Sequence, residues 1–362
     1  MLTCPAHARS IEPLADGAGI RVLDQTRLPH DKRWLTLSDP AAVEVAIQTM
    51  QVRGAPLIGA CGAFGLALAL RHQADDAALA YWSERLASAR PTAINLRWAV
   101  ERVRQVAAQA APEQRFSKAW AEAMRIAEED VAINEAIARQ GLTLLKQRAA
   151  ECGAGTPARP LRLMTHCNAG ALATVAWGTA LAPIYLAHEQ GMAVQVWVSE
   201  TRPRNQGALT AFELAQRGVP CTMIADNAAG VLMMEGKVDA VILGCDRVAA
   251  NGDVANKVGT YLKALAARAH GVPFWVALPS PTFDPELPTG AAIPIERRAA
   301  EEVLSIEGCT VGGARQLVRV APLGVGADNP AFDVTPAALV SAWITERGVF
   351  TTAQALRQGL NA

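Results

Sequence analysis

From Leu161 onward, short unbroken apolar runs alternate with helix-like segments, and this rhythm restricts the fold more than any other feature of the chain. The runs are Leu161 to Thr165, Ala193 to Val198, Pro220 to Ala225, Ala240 to Gly244 and Pro273 to Leu278. Helical patterns begin near Gly170, Gly207, Ala228 and Asn256. Strands that are apolar on both faces must be covered on both, so the arrangement predicts a mainly parallel sheet between helices, a Rossmann-like α/β domain. Residues up to about Ala150 read differently. Gly19 to Leu23 and Arg33 to Leu37 are strand-like and predict a small antiparallel sheet. Asp39 is then a suitable N-cap, with Pro40 at the first helical position. Alanine-rich helical patterns follow over Ala41 to Gln51, Leu57 to Arg71, Asp75 to Ala89, Ala93 to Ala110 and Phe116 to Arg148. Glycine and proline punctuate Cys152 to Pro160. The expectation is a helical N-terminal domain with a small sheet at 1–150 and a Rossmann-like catalytic domain at 151–362.

With 51% hydrophobic residues over 362 positions, the chain has ample material for a core. Basic and acidic residues both number 34, so no cationic excess points to nucleic acid or an anionic membrane. The near-zero net charge is compatible with self-association. Seven cysteines are scattered without C-x-x-C spacing, and the six histidines are dispersed. These features argue against a disulfide framework, a structural zinc site, metal catalysis and Ser–His hydrolysis. Reduced thiols and the absence of a signal-like pattern at Met1 to His7 predict a cytoplasmic protein. The longest apolar run, Ala55 to Leu70, is Gly-rich and falls short of the ~18 residues of a membrane span; it reads as a buried helix. Gly59 to Gly65 within it would allow close helix packing.

Four strand ends in the second half carry polar groups. Val241 to Val248 reads as a buried strand ending on Asp246, where open α/β sheets place their chemistry. Apolar walls would raise the pKa of Asp246 and keep a proton on it near neutral pH; an ion pair with Arg247 or a turn cap is the plainer alternative. Cys167 lies in Thr165-His166-Cys167-Asn168-Ala169-Gly170, between a strand and an expected helix start. Free N–H groups and the helix dipole would there lower its thiol pKa. Cys245 is expected to face the core. Glu200-Thr201-Arg202-Pro203-Arg204-Asn205-Gln206-Gly207 offers donors to sugar hydroxyls or phosphate, or else is a solvated loop. Asp226-Asn227 could be only an N-cap. Asn256-Lys257, read as opening a helix, would seat a phosphate, and Val52-Arg53-Gly54-Ala55-Pro56 would let backbone approach an anion beside Arg53. No nucleotide-binding glycine motif occurs in the required context. An acid, a thiol and an anion clamp without a redox cofactor point to acid/base chemistry on a small phosphorylated metabolite.

The Thr165–Gly170, Glu200–Gly207 and Gly244–Asp253 stretches, with Asn256-Lys257-Val258-Gly259-Thr260-Tyr261, closely resemble the methylthioribose-1-phosphate isomerase family. Arg53-Gly54-Ala55-Pro56, Arg90 to Leu96, Ile293-Pro294-Ile295-Glu296 and Asn329 to Pro336 extend the resemblance over nearly the whole chain. The wider superfamily also holds regulatory subunits of the initiation factor 2B exchange complex and ribose-1,5-bisphosphate isomerases. The resemblance implies an aldose–ketose isomerase of methionine salvage, acting on 5-methylthioribose 1-phosphate as a homodimer, with no metal or other cofactor. It implies Asp246 as proton donor and Cys167 as the transition-state-stabilising residue; on chemistry alone Cys167 could stabilise developing charge or act as the base. It further implies substrate contacts from Arg53, Gly54, Ala55, Arg90, Gln206, Asn256 and Lys257. The family usually has one more residue between Ala208 and Leu209, a difference expected to reshape the loop there, and commonly has alanine where Cys245 stands. Hydrogen transfer from C2 to C1 through an enediol or as a hydride remains open at this level.

Overall fold

The computed structural model describes residues 9–90 and 92–361; the amino-terminal stretch with Cys4, and Pro91, lie outside them. The chain opens with β1 (Ile11–Pro13), β2 (Ile20–Leu23) and β3 (Trp34–Leu37), an antiparallel sheet in that order. Five helices follow: α1 (Pro40–Gln48), α2 (Ala55–His72), α3 (Asp76–Ala87), α4 (Ile94–Ala108) and the 41-residue α5 (Pro112–Cys152). Asp39 caps α1 by accepting the Ala42 N–H at 2.8 Å, with Pro40 at its start. Helix α2 is buried along nearly its whole length, wrapped by α1, α3, α4 and α5. Its glycines make this possible: a Cβ at Gly59 would sit 2.9 Å from the Asn95 carbonyl oxygen, and one at Gly65 would sit 2.9 Å from a Val43 methyl. At 18 residues α2 is longer than its apolar run suggests and is long and apolar enough to cross a bilayer, but 83% of it is covered by protein. It is a core helix.

The remainder is β4 (Leu161–Thr165), α6 (Leu181–Glu189), β5 (Val194–Ser199), α7 (Gln206–Gln216), β6 (Cys221–Ile224), α8 (Ala228–Met234) and β7 (Ala240–Leu243). Then come β8 (Arg247–Ala249), β9 (Val254–Lys257), α9 (Thr260–Ala269), β10 (Phe274–Ala277), β11 (Phe283–Asp284), α10 (Glu301–Leu304) and the β12–β13 hairpin (Ser305–Cys309, Arg315–Arg319). The chain closes with β14 (Phe332–Thr335), β15 (Ala342–Thr345), β16 (Gly348–Phe350) and α11 (Ala353–Asn361). The main sheet runs β16-β15-β10-β7-β4-β5-β6, parallel except for the edge strand β16. A second sheet, β11-β8-β9-β14, stands beside it.

The chain leaves β4 toward one edge through β5 and β6, then crosses back to β7 and proceeds toward the other. The switch point therefore lies between β4 and β7, where the helices diverge and leave a crevice at the carboxyl ends. Helix α5 serves both halves. Ala119, Ala123 and Ile126 pack in the core around α2, while Ile137, Leu142 and Leu145 pack in the core beneath the parallel sheet.

Three expectations fail locally. After β4 there is no helix at Gly170, only a single 3₁₀ turn at Ala171–Ala173; α6 starts at Leu181. The backbone of this segment is claimed by distant groups: Glu213 accepts the Leu172 N–H at 3.3 Å and Asp130 accepts the Val175 N–H at 2.7 Å. Asn256 and Lys257 do not open a helix but end strand β9, paired with Asp333 and Phe332 of β14. The shortened segment near Ala208 causes no break, because α7 runs continuously from Gln206.

Candidate active site

The switch-point crevice closes into a narrow cavity of about 50 Å³, lined by Arg53, Gly54, Ala55, Arg90, Cys167, Gln206, Asp246, Asn256 and Lys257. Cys167 stands two residues past the end of β4 and Asp246 three past the end of β7, the two strands that flank the switch point. The Asp246 N–H donates to the Ala255 carbonyl at 3.0 Å, which ties the acid to β9 and brings Lys257 into the same chamber. The helical half supplies the opposite wall. Arg53 and Gly54 form the turn into α2, and Arg90 ends the turn after α3. Gly54 is required there: its φ is +95°, and a Cβ would overlap the Ala173 carbonyl and Cα.

The electrostatics follow from burial. Asp246 faces the cavity but is otherwise enclosed, and this desolvation pushes its carboxyl above the ordinary range, although Lys257, Arg90 and Arg53 pull the other way. Its proton is thus held more tightly than in water. Burial likewise lowers Lys257, whose ammonium sits 4.2 Å from the Phe332 ring centroid. Cys167 corrects the sequence reading. With no helix start beneath it, burial raises its thiol, and Arg53 and Lys257 oppose that only in part. Burial thus favours the thiol over the thiolate. Cys245 packs on the core as expected and also touches the cavity wall.

Polar atoms left without partners mark where a ligand would sit. Arg53 Nε, Arg90 Nε and Gln206 Oε1 are buried and make no hydrogen bond with any other protein group among the described residues. The other Arg53 nitrogens hold the Asn168 side-chain oxygen and, at 3.3 Å, its carbonyl. Arg90 lies 3.4 Å from Glu296, which also pairs with Arg298 at 2.6 Å. Asn256 donates to Thr260 Oγ1 at 3.0 Å, fixing its amide at the strand end. In contrast, Arg202 and Arg204 do not reach the cavity: Arg202 donates to the Pro203 and Val303 carbonyls, and Arg204 pairs with Glu302. Asp226 proves to be more than a cap. It accepts the Ser199 hydroxyl at 2.5 Å and the Thr201 and Arg202 N–H groups at 2.9 and 2.7 Å, bracing the whole loop.

Sequence reasoning assigned no role to several neighbours. Asn168 joins Arg53 to Glu213 and Thr210, donating to Glu213 at 2.8 Å. His166 is fully buried, donates from Nε2 to the Val258 carbonyl at 2.8 Å, and is pushed down to about 3 by burial and by Lys263. It is a neutral scaffold group. Both residues sit in the stretch around Cys167, so the motif pointed to them, but only tertiary contacts reveal what they hold. Met50, Ile58, Ala93 and Phe332 give the cavity apolar surface.

The arrangement can bind an anion through Arg53, Arg90 and Lys257, deliver a proton from Asp246, and keep a neutral sulfur close to the reacting atoms. Comparison with known proteins agrees. The model of the initiation factor 2 subunit family matches residues 51–352. The methylthioribose-1-phosphate isomerase of Dechloromonas aromatica is 54% identical over 354 residues, covering 98% of this chain and 96% of its own. The structure of 5-methylthioribose 1-phosphate isomerase from Pyrococcus horikoshii superposes with a TM-score of 0.81 at 38% identity, covering 98% of this chain and 96% of that one. A structure from A. fulgidus, described as subunit delta of translation initiation factor eIF-2B, gives a TM-score of 0.78 at 38% identity and covers 98% of this chain and 99% of its own. The chain belongs to the initiation factor 2 subunit family and, within it, to the methylthioribose-1-phosphate isomerases.

Proposed function

We infer that this chain converts 5-methylthioribose 1-phosphate into 5-methylthioribulose 1-phosphate, with Asp246 and Cys167 at the reacting atoms. The observation carrying this reading is a single chamber at the sheet's switch point. It joins a carboxyl whose pKa burial raises and a thiol to Arg53, Arg90 and Lys257, and it holds the unpartnered buried atoms Arg53 Nε, Arg90 Nε and Gln206 Oε1. The phosphate sits against Arg53, Arg90 and Lys257 and the backbone of Gly54 and Ala55, with Asn256 alongside; Gln206 receives a sugar hydroxyl.

Because the anomeric carbon carries the phosphate ester, no free aldehyde exists and the ring must open first. Asp246 gives its proton to the ring oxygen; the C1–O bond pair moves onto that oxygen, which becomes the C4 hydroxyl. Hydrogen then passes from C2 to C1, and the C2 hydroxyl proton returns to the Asp246 carboxylate, restoring the acid. Burial opposes an ionised Cys167 as the base at C2, and the Asp246 carboxylate is taken up by the C2 hydroxyl proton. Both support hydride transfer, with the sulfur forming a polarisable wall. Closing the narrow chamber against water would also protect the open-chain cation.

The test is a coupled assay comparing 5-methylthioribose 1-phosphate with ribose 1,5-bisphosphate in deuterated water. Met50, Ile58, Ala93 and Phe332 suit a thioether better than a second phosphate, so kcat/KM is expected to favour the former on the order of a hundredfold. The product is expected to carry no solvent deuterium at carbon. Equal turnover of both sugars would remove the substrate assignment, and deuterium at C1 would establish the enediol route.

The division at 1–150 and 151–362, a cytoplasmic location and a homodimer belong to the same proposal. The homodimer is supported by exposed apolar side chains on adjoining α8 and α9, including Met234 and Leu262. Light scattering is expected to give twice the chain mass; a monomer at micromolar concentration would exclude it.

A further inference from the structure

Building on the assignment of Cys167 to the reaction centre, we propose that the hydroxyls of Thr201 and Thr210 are positioning groups that clamp the Cys167 peptide from both ends and so aim its sulfur. Cys167 has φ +62°, a left-handed conformation that residues other than glycine seldom adopt. Nothing local favours it: the residue lies in no helix, and the following segment is a 3₁₀ turn. Two side chains from elsewhere do. The Cys167 N–H donates to Thr201 Oγ1 at 2.8 Å, and the Thr210 hydroxyl donates to the Cys167 carbonyl at 2.8 Å.

The two hydroxyls have matched, opposite roles. The Thr201 hydroxyl donates to the Ser199 carbonyl at 2.9 Å, which turns a lone pair toward the cysteine N–H. Thr210 spends its proton on the cysteine carbonyl and receives the Asn168 amide at 3.1 Å. Both threonines are fully buried behind the cavity wall rather than on it, so neither is placed to touch substrate. Thr201 is itself held at φ +64° because Asp226 accepts its N–H at 2.9 Å. A β-branched residue in that region needs such an external hold. The clamp also fixes Asn168, and through it the guanidinium of Arg53.

A misplacement near 1 Å costs up to about a hundredfold in rate even when binding survives. Thr201→Val and Thr210→Val are therefore expected to lower kcat roughly ten- to a hundredfold with KM within about threefold, and Thr201→Ser and Thr210→Ser to stay near wild type. The rate of Cys167 alkylation by iodoacetamide, followed on its peptide by mass spectrometry, is expected to shift severalfold in the valine variants and not in the serine variants. Thr201→Ala serves if valine is not tolerated at the left-handed position, and Thr210→Val reads the same peptide from its other side. Wild-type kcat and alkylation rate in the folded valine or alanine variants, with Cys167→Ala inactive, would overturn the clamp. Full activity of Cys167→Ala would instead overturn the underlying role of the thiol.

Discussion

Asp246→Asn is expected to lower turnover by roughly a hundred- to ten-thousandfold, the range general-acid catalysis supplies, while substrate still binds. The amide keeps the shape of the carboxyl but has no proton to give the ring oxygen. Arg53, Arg90 and Lys257 remain to hold the phosphate, so calorimetry should record binding where the assay records almost no product. The direction of the pH dependence follows from the raised pKa of Asp246. The acid form is the active one, so wild-type kcat/KM should fall as pH rises through the elevated value. The same shift affects stability. The folded state binds this proton more tightly than the unfolded chain does, so that contribution is complete below the unfolded pKa and is lost as pH climbs through the folded one. Asp246→Asn should lack that slope. A variant turning over near the wild-type rate would exclude Asp246 as the acid.

Gly54→Ala is expected to have the largest effect on the fold. Two costs combine. The position has φ +95°, strained for any residue with a Cβ, and the added methyl would overlap the Ala173 backbone across the cavity. Neither neighbour is a flexible side-chain end that could move aside. Together they should remove about 3–5 kcal/mol, a large share of the ~5–15 kcal/mol that holds a typical protein folded. A melting temperature lower by roughly 10 °C is the measurable sign. Because the turn carries Arg53, activity measured well below melting should also fall at least tenfold. Gly191→Ala is the control: Gly191 has φ +82° but open space around it, so its alanine variant bears strain alone. If both variants melt together, the close approach to Ala173 is not what fixes Gly54.

The two predictions rest on features of unequal visibility in the sequence. Five of the parallel strands, β4 to β7 and β10, were legible because each lies in a largely apolar run bounded by turn residues, whereas β15 was not read; from β7 the placement of Asp246 near a strand end follows directly. Its chamber was not, since Arg53 and Arg90 belong to turns more than 150 residues earlier and meet it only through helix packing. Cys167 shows why local reading fails. Alanine and leucine after Gly170 favour a helix, but Glu213 and Asp130 take the backbone groups that a helix would use. With that helix goes the dipole that was to acidify the thiol. Lys257 is similar: its strand partner Phe332 lies 75 positions away, beyond the reach of any periodicity. The strand end still delivers the Lys257 ammonium to the same chamber.

Helix α5 contributes apolar side chains to the core around α2 and to the one under the parallel sheet. A protease cutting the glycine–proline stretch after Cys152 would sever the backbone without parting the molecule. Ile137, Leu142 and Leu145 would still be lodged beneath β4 and β15, and the fragments would migrate together until denaturant pulled that long axle free.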